Sequence, residues 1–253
     1  MKKVSIVTVS FNQAAFLERA IRSVLDQDYP DIEYIVVDPG STDGSRDIIE
    51  RYRARISKAI LRPDRGAADG LNNGFAVATG EIFGFLNADD YLLPGALSQV
   101  VGFFESHPEC DIAMGNGYIV DVQERYQRHV RARGFTVRRY LYSGTTFLQQ
   151  STFFRCDTFR RSLGFNVENR TSWDGELFVS MVHSGATVGY MAEDLACFRI
   201  HEESISGSGR LADDYRKDYR RIFRQIQGRD WRMTDELLRF IYRCEGRMLR
   251  AMS

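Results

Sequence analysis

Short apolar runs alternate with segments whose apolar residues recur at helical spacing through the first half of the chain. Val4-Ser5-Ile6-Val7-Thr8-Val9 is β-branched at every apolar position and predicts a buried first strand. Asn12 then offers an N-cap for a helix carrying Phe16, Leu17, Ala20, Ile21, Val24 and Leu25, and Pro30 closes the unit. A second strand runs from Glu33 to Asp38, a second helix from about Asp43 carries Ile48, Ile49 and Tyr52, and a weaker third strand lies near 59–61. Next come a helix with Leu71, Phe75 and Ala78, a strand ending at Asn87, and a helix after Pro94 with Leu97, Val100, Val101 and Phe104 inward. Alternation of this kind predicts an α/β fold with a mostly parallel sheet and right-handed crossovers. Ligands of such sheets sit at the carboxyl ends of the strands.

The second half is less regular. Strands are expected within 111–135 and over Gln149 to Arg155, a helix over 173–184, and helices from Tyr215 onward. With no internal repeat or low-complexity linker, the expected organisation is one domain over 1–207 and a helical extension over 208–253.

The chemistry concentrates at two predicted strand ends. Leu86-Asn87-Ala88-Asp89-Asp90 directly follows the apolar run Ile82-Phe83-Gly84-Phe85. Two adjacent carboxylates at the end of a buried strand are costly unless a cation neutralises them, and a divalent metal carrying a diphosphate would do so. Asp38-Pro39-Gly40-Ser41-Thr42-Asp43-Gly44-Ser45 places a carboxylate at another strand end, before glycines that let backbone approach a ligand. A plain strand–turn–helix connection capped by Asp43 would show the same residues. Pro63 to Asp69 is either a charged surface turn or a loop presenting Arg65 to phosphate.

Charge and composition narrow the classes. With 34 Lys/Arg against 34 Asp/Glu, the formal net charge of zero argues against nucleic acid as a partner. The four cysteines form no CxxC pair, which suits a reducing cytoplasm, and no apolar run approaches the ~20 residues of a membrane span. The expected location is therefore cytoplasmic. A dinucleotide dehydrogenase would show GxGxxG after the first strand, and a P-loop enzyme GxxxxGK[ST]; the sequence has neither. A nucleotidyltransferase, which would carry a glycine- and lysine-rich phosphate loop, and a non-catalytic nucleotide-sugar binding protein are the competing classes.

Four segments together resemble the inverting glycosyltransferases of family 2, which have the GT-A fold. They are Val4 to Asn12; Ile35 to Asp38 with Gly40 to Ser45; Asp64-Arg65-Gly66 through Asn72-Asn73-Gly74; and Gly80-Glu81 through Asp90. The resemblance covers about 3–205. It implies a transferase moving a sugar from a nucleotide-diphosphate sugar, with a UDP-sugar the first expectation, to a hydroxyl of a glycan or lipid-linked acceptor. Surface-polysaccharide assembly is the family-level setting.

Carried onto this chain, the resemblance makes 1–115 the donor half and 116–207 the acceptor half. Thr8, Val9 and Ser10 would line the nucleotide pocket, with Asp38 beside the base or ribose. Arg65, Asp69, Asn72, Asn87 and Asp89 would complete the donor contacts. Asp89 and Asp90 occupy the family's DXD-type position, with Asn87 in its first place. Two departures stand out: Pro39 replaces a second aspartate, and Leu71 stands where many relatives have arginine.

Trp173-Asp174-Gly175-Glu176 matches the segment that opens the base-bearing helix. That match makes Asp174 the catalytic base, with Glu176 the fallback, ~200° away around a helix. Phe198 to Ser206 resembles the family's late R-x-H-x-x-S-x-S element, which implies that His201 either joins Asp89 and Asp90 around Mn²⁺ or Mg²⁺ or contacts the diphosphate. Gln149, Gln150 and Ser151 fall on the acceptor side. Residues 210–253 hold twelve Lys/Arg against seven Asp/Glu, a local net of +5. That tail is a solvated face, a contact with anionic lipid at the inner membrane face, or a homodimer surface.

Overall fold

The computed structural model describes residues 1–202, 204 and 211–251. Among them nine strands form one sheet: β1 (Val4–Val9), β2 (Ile32–Val37), β3 (Lys58–Ile60), β4 (Ile82–Asn87), β5 (Tyr91–Leu92), β6 (Ile112–Val120), β7 (Tyr126–Val130), β8 (Thr152–Arg155) and β9 (Val188–Arg199). Their order is β3-β2-β1-β4-β8-β6-β9-β5, with β7 paired to β6. The first four are mutually parallel, as the alternating pattern predicts. Beyond β4 the sheet is mixed: β8 is antiparallel to both β4 and β6, whereas β9 runs parallel to β6.

The helices are α1 (Ala14–Leu25), α2 (Ser45–Arg51), α3 (Ala67–Ala76), α4 (Ala96–Ser106), the short α5 (Val137–Leu141) and α6 (Cys156–Arg161), then α7 (Trp173–His183), α8 (Ala212–Gln227) and α9 (Met233–Ala251). Alternate residues of the central strands feed two apolar layers. Val4, Ile6, Val36 and Leu86 pack with α1, α2 and α4, while Val7, Ile35, Val37 and Phe85 pack with α3, α7 and α8. Being buried on both faces is what makes these strands read as near-continuous apolar runs. A Cβ at Gly74 would overlap a Val7 methyl, so glycine there lets α3 ride close to the sheet.

Register sets the site. Val9 pairs with Val37 on one side and Asn87 on the other, so the carboxyl ends of β1, β2 and β4 finish level. Ser10, Asp38 and the 87–90 turn therefore emerge along one edge, although ~50 residues separate the last two.

One cap differs from its prediction. Asn12 adopts φ 51° and turns its Oδ1 to accept from the Thr42 backbone N–H at 2.9 Å, so it does not cap α1. The neighbouring loop supplies the caps instead. Ser45 Oγ accepts from the N–H of Gln13 (3.1 Å), and Asp43 Oδ2 accepts from that of Ala14 (2.8 Å). Residues 149–151 form a 3₁₀ turn ahead of β8 rather than strand. Sequence pattern predicts neither β9 nor β5. β9 carries Glu193-Asp194 in its middle, and its pairing with β6 slips in register around Asn116, so its alternation is broken.

The C-terminal helices pack through Ile222 and Phe223 of α8 and Leu238 and Tyr242 of α9 onto the layer containing α7. Arg229 grips the buried Asp235 through two bonds of 2.7 and 2.8 Å, and Tyr142 donates to the same carboxylate. Among the described residues no helix is long and apolar enough to cross a membrane.

Candidate active site

A cleft of about 650 Å³ opens over the carboxyl edge of the sheet. One wall comes from Val9, Ser10 and Pro39 after β1 and β2, with Asp64 and Gly66 from the loop before α3. Asn87 to Asp89, Phe147 to Gln150, Trp173, Asp174 and Phe198 also line it. Residues from both halves of the chain thus face one space.

The adjacent acids predicted to act together divide. Asp89 faces the cleft, its Oδ2 3.0 Å from His201 Nε2, and the imidazole packs on Phe16 with ring centroids 5.0 Å apart. Asp90 is 1 % exposed and does not line the cleft. Its oxygens accept from Gln150 Nε2 (2.5 Å), Asn87 Nδ2 (3.4 Å) and the Arg199 N–H (2.9 Å). Burial, then the charge of Asp89, push its carboxyl well up, and those donors only partly oppose them. Of the three residues expected around a metal, Asp89 lines the cleft, His201 lies behind it against Asp89, and Asp90 is sealed below. Among the described residues no cluster of three His, Cys, Asp or Glu could hold a metal. Ser206 of the late element lies outside the described residues.

Arg199 holds this corner together. The side chain is almost fully buried, stacked between Phe16 (5.0 Å) and Tyr91 (5.5 Å). It donates to the carbonyls of Asp89 (2.8 Å), Asp121 (3.3 Å) and Val122 (3.2 Å) and to Glu124 Oε1 (3.0 Å).

Asp174 lies in the first turn of α7 and lines the cleft. Burial pushes its carboxyl up, opposed by its own N–H and that of Gly175 at the helix end. Tyr140 lies against this turn: a Cβ on Gly175 would overlap its hydroxyl. Burial and then the charge of Asp174 raise the Tyr140 phenol far above its ordinary value. Glu176 is saturated elsewhere. Arg221 forks onto it at 2.5 and 2.7 Å, and Asn166 and Asn169 donate at 2.9 and 2.6 Å. Burial works to raise its carboxyl, and these donors outweigh it and hold it low.

Several predicted donor contacts do not line the cleft. Thr8 is buried, its Oγ1 accepting from Tyr34 at 3.0 Å. Asp38 is fully buried and shapes its loop, accepting from the N–H groups of Gly40 and Ser41, the Ser41 hydroxyl and Arg46 Nε. It is the next residue, Pro39, that reaches the cleft. Arg65 is exposed and paired with Asp69 at 3.2 Å. Asn72 locks the Phe165 backbone, donating at 2.8 Å and accepting at 2.9 Å. Val9, Ser10, Asn87 and Asp89 do line it.

Asp64 is a lining residue that sequence reasoning passed over. Burial raises its carboxyl, as do the charges of Asp69 and Asp38, while the Gly66 N–H opposes them. Its signal was the acid two places before a glycine that opens a helix. The Ser10 Oγ is buried with no hydrogen-bond partner among the described residues, an orphan donor at the cleft wall that a polar ligand would satisfy.

Residues 5–162 match the model of the family described as Glycosyl transferase family 2. The chain is 30% identical over 217 residues to TuaG of Bacillus subtilis, a putative teichuronic acid biosynthesis glycosyltransferase, covering 81% of this chain and 82% of that one. It is 39% identical over 128 residues to an uncharacterised glycosyltransferase of Nostoc sp., covering 47% of this chain and 40% of the relative. A GalNAc(5)-diNAcBac-PP-undecaprenol beta-1,3-glucosyltransferase of Campylobacter jejuni is 36% identical over 105 residues, covering 40% and 34%. The chain thus spans well under half the length of these last two.

Among solved structures, S. aureus TarS 1-349 in complex with UDP-GlcNAc superposes with a TM-score of 0.72 at 19% identity, over 88% of this chain and 65% of TarS. The Pyrobaculum calidifontis mannosyltransferase PcManGT in complex with GDP-Man and Mn2+ gives 0.65 at 17% identity, over 89% and 68%. At such identities the likeness shows the fold, a mixed α/β sheet of GT-A type flanked by helices.

Proposed function

The chain belongs to glycosyl transferase family 2, and from that membership we propose that it transfers a sugar, with inversion, from a nucleotide-diphosphate sugar to a hydroxyl of a glycan or lipid-linked acceptor. The observation that carries this reading is a single cleft lined by both Asp89, which the mostly buried His201 approaches at 3.0 Å from behind the lining, and the helix-end carboxylate of Asp174. The glycan setting is supported by TuaG, named for teichuronic acid, and the lipid-linked one by the undecaprenol substrate of the Campylobacter relative. Residues 1–115 supply the donor wall and 116–207 most of the acceptor wall. In this reading 208–253 is a supporting extension, since Arg221 buttresses the helix that presents Asp174.

Asp174 takes the proton of the acceptor hydroxyl as its oxygen attacks the anomeric carbon. The new C–O bond forms on the face opposite the departing oxygen. The old anomeric C–O bond breaks, and the nucleotide diphosphate leaves with the electron pair. Attack from the opposite face inverts the anomeric centre. In this reading the unpartnered Ser10 Oγ donates to the nucleotide, and Asn87 Nδ2 donates to Gln149 Oε1 at 3.4 Å, joining two cleft-lining side chains.

A hard carboxylate oxygen with a single borderline imidazole nitrogen 3.0 Å away would be compatible with Mn²⁺ or Mg²⁺. Asp89 and His201 would hold such an ion, which would supply positive charge to the leaving diphosphate.

A donor screen of UDP- and GDP-sugars by hydrolysis and thermal shift tests the transferase reading. Calorimetric titration of the preferred nucleotide tests the metal: Mn²⁺ should tighten binding at least about tenfold, or ~1.4 kcal/mol. His201→Ala should remove most of that gain, and equal affinity with and without Mn²⁺ would defeat the assignment.

Glu176→Gln separates the two acids of α7. It weakens a charged hydrogen-bond cluster by about 2 kcal/mol, which lowers Tm by roughly 6 °C in a chain of this size. Turnover should stay close to that of the parent. A collapse of turnover with Tm unchanged would hand the base role to Glu176.

A further inference from the structure

We propose that the outward face of α9 is a docking surface for an anionic lipid bilayer. The helix is apolar on two sides. Leu238 and Tyr242 pack inward, with the Tyr242 ring stacked on Tyr142 at 5.9 Å. Met233, Leu237, Phe240 and Ile241 fall on the other side at i, i+4, i+7 and i+8, one stripe of an α-helix. They are 86, 63, 66 and 50 % exposed, and none joins an apolar cluster of the described residues. Four large apolar side chains in line along ~12 Å of helix are costly to leave in water.

Charge decides what covers them. Of the acids nearby, Asp235 is paired with Arg229, Glu245 with Arg139 and Asp230 with Arg224, while Glu236 accepts only from the Trp231 indole and keeps its charge. Arg232 and Arg243 are exposed, and neither side chain forms an ion pair among the described residues. Arg243 follows Phe240 by three residues, so it borders the stripe. An apolar stripe bordered by two unpaired arginines against one unpaired carboxylate keeps a positive excess, which complements acyl chains beneath anionic headgroups. A second copy fits less well. A two-fold contact repeats the same patch on both sides and would set like charges together. Since the described helices cannot cross a bilayer, α9 would lie along its surface.

The inference rests on this helix face and not on the transferase reading, so it is measured without donor or acceptor. The full chain is floated with phosphatidylglycerol-rich vesicles and with pure phosphatidylcholine. Binding should favour the anionic vesicles and weaken with added salt. The double variant Leu237→Ser, Phe240→Ser should bind at least about tenfold more weakly, with Tm and nucleotide affinity unchanged because both side chains are exposed. Absence of vesicle binding, or equal binding by the double variant, would overturn the proposal. So would a self-association of the parent that the double variant abolishes, which would assign the face to a second copy.

Discussion

Asp174→Asn should lower turnover at least about 10²-fold, the usual share of general-base catalysis, while leaving the Kd of the nucleotide near its parent value. The amide keeps the volume and the helix-end hydrogen bonds but cannot take a proton. Two further readouts come from burial pushing the Asp174 carboxyl up. The base must be ionised to act, so kcat/KM of the parent should rise with pH through a limb displaced above the ordinary carboxylate range, and the Asn variant should lack that limb. The stability effect has the opposite sign. A carboxyl whose folded-state pKa is raised favours the fold in its neutral form, and that contribution is lost as pH rises through the raised pKa. Above the raised pKa the parent holds an ionised, partly desolvated acid that the amide replaces without charge. The variant should therefore unfold at the same temperature or higher. Wild-type turnover in the Asn variant would remove Asp174 from the role, and a drop in Tm matching the loss of rate would reduce it to a structural residue.

The legible part of this protein is the part where local pattern and tertiary role coincide. β1, β2 and β4 are buried on both faces, so their apolar runs show in the sequence, and parallel pairing levels their ends so that Ser10, Pro39 and Asp89 share an edge. Helical spacing likewise separated Asp174 from Glu176: two residues apart on α7, one faces the cleft and the other the Arg221 fork. What sequence does not carry is the rotation of a side chain in a turn. Asp89 and Asp90 are indistinguishable as neighbours, yet one meets His201 and the other is sealed under Gln150 and the Arg199 backbone. Asp38 sits at a strand end as expected, and its oxygens are consumed by the loop that follows. β9 stayed hidden because acids and a slipped register interrupt its alternation. With it went the role of Arg199, a residue whose position in a family motif says nothing of the carbonyls it collects.

Arg199→Met tests that role and should be the most destabilising single change near the cleft. Methionine matches the length of the stem and preserves contact with Phe16 and Tyr91, so little packing is lost. What disappears is a planar fork that satisfies three backbone carbonyls and one carboxylate at once. Glu124 is 38 % exposed at its side chain and regains water, so its loss counts for little. The carbonyls of Asp89, Asp121 and Val122 are left short of a donor, at about 1 kcal/mol each and roughly 3 kcal/mol together. That corresponds to a fall in Tm of roughly 9 °C. Arg199→Lys keeps the charge but offers a point donor in place of a fork, and should fall between parent and Met. Function should respond through position, since the guanidinium fixes the Asp89 carbonyl and hence the carboxylate beside His201. Nucleotide affinity in Mn²⁺ should weaken in both variants under conditions where they remain folded, while metal-free affinity stays unchanged. A Met variant with the parent's Tm and Mn²⁺-dependent affinity would show that the turn after β4 holds Asp89 without help from β9.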